Sequence, residues 1–171
     1  MKKEIEIRKI FDLALNNHRE KNFINAIKYY KKVLKINPSH FDSNYLLGTL
    51  YLQNQRFSEA KIKLEKAIKI KPNHAALCNN MGATLVELKE FKEAINFFKK
   101  TISIQPNFAQ AYNNIGSILK EQEQHREAIN YFQKAVELQP GLQEANLNLG
   151  IAYKELGKIE KSIFYFKKII E

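Results

Sequence analysis

All four prolines of the chain, Pro38, Pro72, Pro106 and Pro140, fall 34 residues apart, and Gly48, Gly82, Gly116 and Gly150 keep the same interval. A period of this length is too long for a coiled coil and too regular for an ordinary globular domain. It is the length of a helix-turn-helix unit that cannot bury its apolar face alone and must stack on copies of itself. Proline supports the reading physically: it has no N–H to donate and crowds the preceding turn, so it ends one helix and lets the next begin. The clearest copy is residues 109–142, AQAYNNIGSILKEQEQHREAINYFQKAVELQPGL, with Tyr112, Ile115, Gly116 and Leu119 on its first helix and Ala128, Phe132 and Ala135 on its second.

These landmarks resemble the tetratricopeptide repeat. The resemblance covers residues 7–171 and divides them into repeats 7–40, 41–74, 75–108, 109–142 and 143–171, the last incomplete. The wording CNNMGATL, YNNIGSIL and NLNLGIAY in repeats 3 to 5 is similar to the superhelix of O-GlcNAc transferase and its bacterial relatives. The resemblance implies a single all-α domain, a right-handed α-solenoid of five helical hairpins, in which first helices line a concave groove and second helices form the outside. It implies a protein-protein interaction scaffold that takes an extended peptide or a partner helix. It also leaves open an N-terminal substrate-recognition region of a longer, glycosyltransferase-like transferase.

Within each first helix, periodicity puts apolar residues such as Leu47, Gly48 and Tyr51 on one face, and Ala60, Leu64, Ala67 and Ile68 do the same on the following helix. Glycine in a helix interior costs ~1 kcal/mol relative to alanine, so its recurrence calls for a close approach. The expectation is that Gly48, Gly82, Gly116 and Gly150 lie against the small residues Ala60, Ala94, Ala128 and Ser162. Ser39 is expected to cap the helix after Pro38. The first repeat is the least regular, as a terminal unit with one side in water tends to be.

The groove-facing positions of the first helices carry a second recurrence. Asn80, Asn114 and Asn148 share one phase, and Asn79 and Asn113 precede two of them. An asparagine amide is donor and acceptor at once, so it can meet both the N–H and the C=O of a partner backbone. With Ser117 these residues form the candidate peptide-binding set, an asparagine ladder that the transferase resemblance also implies. The chain has 17 asparagines, which makes solvated polar positions the competing reading. Phe11, Leu15, Tyr45, Leu46 and Leu52 make a different, apolar lining in repeats 1 and 2, either for a ligand side chain or for packing on one another. Position 2 of the first helices reads Arg8, Asp42, Ala76, Gln110 and Glu144. The groove therefore lacks the cations of a carboxylate clamp, and a nucleic acid is not expected there.

The net charge of +10 is unevenly placed: +6 over residues 1–40, +3 over 41–74, then +1, −1 and +1 over the following repeats. Lys28, Lys31, Lys32 and Lys35, and then Lys61, Lys63, Lys66 and Lys69, lie on second helices and are expected to face outward. A solvated face or an anionic surface would explain them. The single cysteine, Cys78, is expected to be a small buried apolar residue. His18, His40, His74 and His125 lack metal-ligand spacing, and no nucleophile, phosphate loop or paired acid and base stands out. No catalysis, metal or cofactor is expected from this chain. No apolar run is long enough for a membrane span, and no secretory pattern opens the chain, so the cytoplasm is the expected location. The last helix, with Ile163, Phe164, Phe166, Ile169 and Ile170, is apolar enough to expect either a continuing chain or self-association through it.

Overall fold

The computed structural model describes residues 2–169. Every regular element among them is a helix: α1 (Lys2–Arg19), α2 (Phe23–Ile36), α3 (Phe41–Gln53), α4 (Phe57–Ile70), α5 (Ala75–Glu87), α6 (Phe91–Ile104), α7 (Ala109–Glu121), α8 (His125–Leu138), α9 (Gln143–Glu155) and α10 (Ile159–Lys167). Two compact units divide the chain between α5 and α6, at residues 1–89 and 90–171. In the first unit each helix packs on the next from α1 to α5, and α3 also touches α5. In the second the sequence of contacts runs from α6 to α10, with α7 also against α9. Odd-numbered helices thus pack on one another as well as on their hairpin partners.

The helix ends explain the 34-residue period. Asn37, Lys71, Gln105 and Gln139 are the C-caps before the four prolines, all in extended backbone with ψ between 85° and 94°, the conformation that a following proline favours. The turn inside each hairpin uses a left-handed residue: Lys21, Gln55, Lys89 and Glu123 have φ of 58° to 62°, and Gly157 has 70°. Across this turn the N–H groups of Asn22, Arg56, Gln124 and Lys158 reach the carbonyls of Asn17, Tyr51, Leu119 and Tyr153 at 2.8 to 2.9 Å. That bond spans five residues and satisfies a carbonyl left open at the helix end, the Schellman arrangement. The left-handed position recurs at every period although only one of its five residues is glycine.

The caps of α3 and α5 differ from expectation. His40, not Ser39, caps α3, its Nδ1 accepting from the Ser43 N–H at 3.2 Å. His74 caps α5 in the same way from Leu77 at 3.1 Å. Each histidine ring also packs on an aromatic residue of its own repeat while capping the first helix of the next, His40 on Phe11 at 4.9 Å and His74 on Tyr45 at 5.1 Å. A ring that packs on one side while its nitrogen caps a helix joins two repeats through one side chain.

A further tie fastens each first helix to the proline before it. Asn44 donates to the Pro38 carbonyl at 2.9 Å, Tyr112 to that of Pro106 at 3.1 Å and Asn146 to that of Pro140 at 2.9 Å. Cys78, which is fully buried, directs its thiol to the Pro72 carbonyl at 3.7 Å. Four side chains at one phase, of three residue types, thus meet the carbonyl of the preceding proline.

The glycines do mark close approach, but to different partners. A Cβ on Gly48 would stand 2.7 Å from Leu64, one on Gly116 2.6 Å from the Phe132 ring, and one on Gly150 2.3 Å from the Phe166 ring. The missing side chain admits a large residue one turn beyond the small ones that were expected. Ser162 keeps a separate role, donating to the Gly150 carbonyl at 2.8 Å. Tyr30, Leu47, Leu50, Tyr51 and the alanines 14, 26 and 60 form the core of the first unit. Phe132, Ile115, Ile118, Leu149 and Ala152 are buried in the second. On α10, Ile163 and Phe164 are half exposed, Phe166 covers Gly150, and Ile170 lies outside the described residues.

Candidate functional site

In the first unit, Phe11, Leu15, Leu46 and Leu52 pack partly buried against the core. Tyr45 stacks on Phe41 at 6.0 Å, and burial raises its hydroxyl pKa. The apolar lining of repeats 1 and 2 is therefore occupied by its own neighbours. Asn80 on α5 is half-buried and donates to the Thr49 hydroxyl of α3 at 3.0 Å. Thr49 in turn donates to the Tyr45 carbonyl one helical turn back. Asn79 beside it is also half-buried.

The second unit brings Asn113, Asn114, Ser117 and Asn148 together across α7 and α9, where the bonds run in one direction. The Lys120 ammonium donates to Asn148 Oδ1 at 2.6 Å. Asn148 Nδ2 donates to Asn113 Oδ1 at 3.1 Å and to the Ser117 hydroxyl at 3.3 Å. Asn113 Nδ2 points on to Glu144 Oε2 at a long 3.5 Å, and Gln110 Nε2 reaches the same oxygen at 2.9 Å. A second bond from Gln110 goes to Asn114 Oδ1 at 3.1 Å. The relay starts at a cation and ends at a carboxylate, so each amide is turned with its oxygen toward the lysine and its nitrogen toward the glutamate. Such chains polarise one another and hold their orientation.

Each member stands differently toward solvent. Asn113 is only 3% exposed, so it orients Asn148 from behind. Asn114, Ser117, Asn148 and Lys120 are half-buried, and Leu147 beside Asn148 is 46% exposed. Burial lowers the Lys120 pKa from its ordinary value. Both Nδ2 hydrogens of Asn148 and one lone pair of its oxygen are directed within the chain. One acceptor lone pair is left for a ligand N–H, rather than the full donor and acceptor pair that residue type alone suggests.

Lys120, Gln110 and Glu144 were absent from the candidate set. The signal for Lys120 was present: residues 113, 117 and 120 follow the i, i+4, i+7 spacing of one helix face. Gln110 and Glu144 stand at the helix position where a carboxylate clamp would carry cations.

Comparisons with known proteins agree with this architecture. Residues 19–101 match the family described as anaphase-promoting complex, cyclosome, subunit 3, and residues 109–142 and 143–171 each match the tetratricopeptide repeat. No curated protein sequence matches the chain. Among solved structures, a MamA protein superposes with a TM-score of 0.84 at 26% identity, covering 96% of this chain and 90% of that one. YrrB, described as a TPR protein with an unusual peptide-binding site, gives 0.76 at 25% identity over 94% of this chain and 83% of that one. PilF of Pseudomonas aeruginosa gives 0.85 at 19% identity, over 99% and 78%, a likeness of fold alone.

Proposed function

Since the chain is a tetratricopeptide-repeat protein with an all-α solenoid fold, and this fold serves typically as a non-enzymatic scaffold, we propose that it binds an extended peptide of a protein partner across α7 and α9. The observation that carries this reading is the relay from Lys120 through Asn148 and Asn113 to Glu144. It holds polar groups in fixed directions at a half-buried surface, so a ligand need not order them on binding, and this preorganisation lowers the cost of association. Asn114, Asn148 and Ser117 are the contact residues, Asn113 positions Asn148, and the exposed Leu147 offers an apolar contact between peptide bonds. In the first unit Asn80 and Asn79 hold the same phase and are the candidate contact residues there.

The peptide-binding site in YrrB's description supports peptide recognition as the kind of task a relative of this similarity performs. No described helix is long and apolar enough to cross a membrane.

The test uses a random peptide display library selected on the whole chain. Selected peptides should lose about tenfold or more in affinity when Asn80, Asn114 and Asn148 are all replaced by alanine, roughly the worth of one well-made hydrogen bond or more. Helicity by circular dichroism should be retained. Peptides bound equally by the triple variant, or a library that yields no binder, would overturn the reading.

A further inference from the structure

The outer face of α2 is a stripe of Ile24, Lys28, Lys31 and Lys35, spaced i, i+4, i+7, i+11, with Lys32 beside it. It lies opposite the buried Ala26, Tyr30 and Val33. All four lysines are exposed, Ile24 is 83% exposed, and α2 has no acidic residue. Together with Ile27 these side chains line a shallow depression of about 440 Å³. On α4 the positions one period on hold Ser58, Ile62, Glu65 and Lys69, with Lys66 and Ile70 alongside, Ile62 being 51% and Ile70 38% exposed. Burial first, then the charges of Lys66 and Lys31, hold the Lys63 ammonium below its ordinary pKa, so the lysines of the two helices share one field.

The fold does not require lysines there. Three periods further on, the same positions of α8 in the second unit hold Asn130 and Gln133, and Lys134 is paired with Glu137 at 2.8 Å. We propose that the α2 and α4 face of the first unit docks on an anionic lipid surface. Lysines on flexible stems reach headgroup phosphates and carboxylates while the isoleucines between them enter the boundary with the acyl chains. A nucleic acid would use the lysines but leave Ile24 unused. The nearby aromatic rings also stand closed to bases, since Tyr29 lies under Lys32 at 5.3 Å and the buried Tyr51 under Lys31 at 5.8 Å.

Co-sedimentation of the whole chain with vesicles tests this. Vesicles containing phosphatidylserine should retain the protein at low salt and release it at about 0.5 M salt, where screening is nearly complete, and vesicles of phosphatidylcholine alone should not retain it. Each lysine near such a surface is worth roughly fivefold in partition. Replacing Lys28, Lys31 and Lys35 together by serine should therefore lower binding about a hundredfold. Ile24→Ser leaves the charge unchanged and should lower it about tenfold, the order expected for losing most of one buried aliphatic side chain. Retention equal on neutral and anionic vesicles, or unchanged in the triple variant, would overturn the proposal. So would binding of a single-stranded RNA oligonucleotide that needs the three lysines but is indifferent to Ile24→Ser, with no vesicle binding.

Discussion

Gly116→Ala should destabilise the second unit even though alanine is the better helix former. The added Cβ would stand 2.6 Å from Cε1, 2.8 Å from Cδ1 and 3.0 Å from Cζ of Phe132. Carbon atoms at rest sit roughly 3.5 to 4.0 Å apart, so the ring must retreat by about 1 Å. Phe132 is fully buried, and a ring enclosed on all sides moves only by displacing its neighbours. Overpacking of this kind costs about 1 to 3 kcal/mol, and the gain in helix propensity returns ~1 kcal/mol. The net loss should be up to about 2 kcal/mol, read as a lower denaturation midpoint by circular dichroism.

Two companions give the argument its discrimination. Gly150→Ala brings a Cβ still closer to a ring, 2.3 Å from Phe166, yet that ring is only half-buried and can swing outward. Its loss should be the smaller of the two. Phe132→Leu placed in the Gly116→Ala background should cost less than Phe132→Leu alone, because the smaller side chain removes the collision. A Gly116→Ala protein as stable as the parent, with no coupling to position 132, would refute the claim that glycine is there to admit the ring.

Two further perturbations follow from the helix ends. Gly157 has φ of 70° and no atom within 4 Å of its added Cβ, so Gly157→Ala should cost ~1 kcal/mol of purely conformational strain. Glu123→Gly at the same phase, φ 61°, should leave stability unchanged or raise it by up to ~1 kcal/mol; an opposite order of the two midpoints would sink the account. The His40 cap should make the first unit acid-sensitive: burial, opposed more weakly by Asp42, holds the folded pKa below 6.5, and burial does the same for His18. A base with a depressed folded pKa binds its proton more readily when unfolded, so this stability is complete above about pH 6.5 and declines as pH falls toward and through the folded values. Melting curves should show that decline, and His40→Asn, which can still cap, should reduce its slope; an unaltered slope would exclude the cap as its source.

How much of this was legible in the sequence depends on whether residue type or residue direction carries the information. Proline and glycine act through the backbone, so Pro38, Pro72, Pro106 and Pro140 marked the repeat joints correctly. The left-handed turn was hidden because Lys21, Gln55, Lys89 and Glu123 occupy a conformation that sequence reading reserves for glycine. The caps were hidden because histidine is an unusual capping residue and Ser39 a common one. The large partners of the glycines were not foreseen, for a directional reason. A helical side chain covers the turn preceding its own Cα, so Leu64, Phe132 and Phe166 reach back over Gly48, Gly116 and Gly150 from one turn beyond the expected alanines and serine.

The same distinction governs the candidate site. A recurrent asparagine announces hydrogen-bonding capacity, but a surface recognises only what the chain's own bonds leave over. Asn148 gives both of its N–H groups to Asn113 and Ser117 and takes a bond from Lys120. Its remaining lone pair has its direction set by the charges at the two ends of the relay. Asn114 spends its oxygen on Gln110, and Asn80 spends a donor on Thr49. The three residues share a phase in the sequence but are bonded to different partners. A peptide bound across α7 and α9, as proposed, would therefore meet groups of set direction, with an N–H toward Asn148, rather than interchangeable rungs.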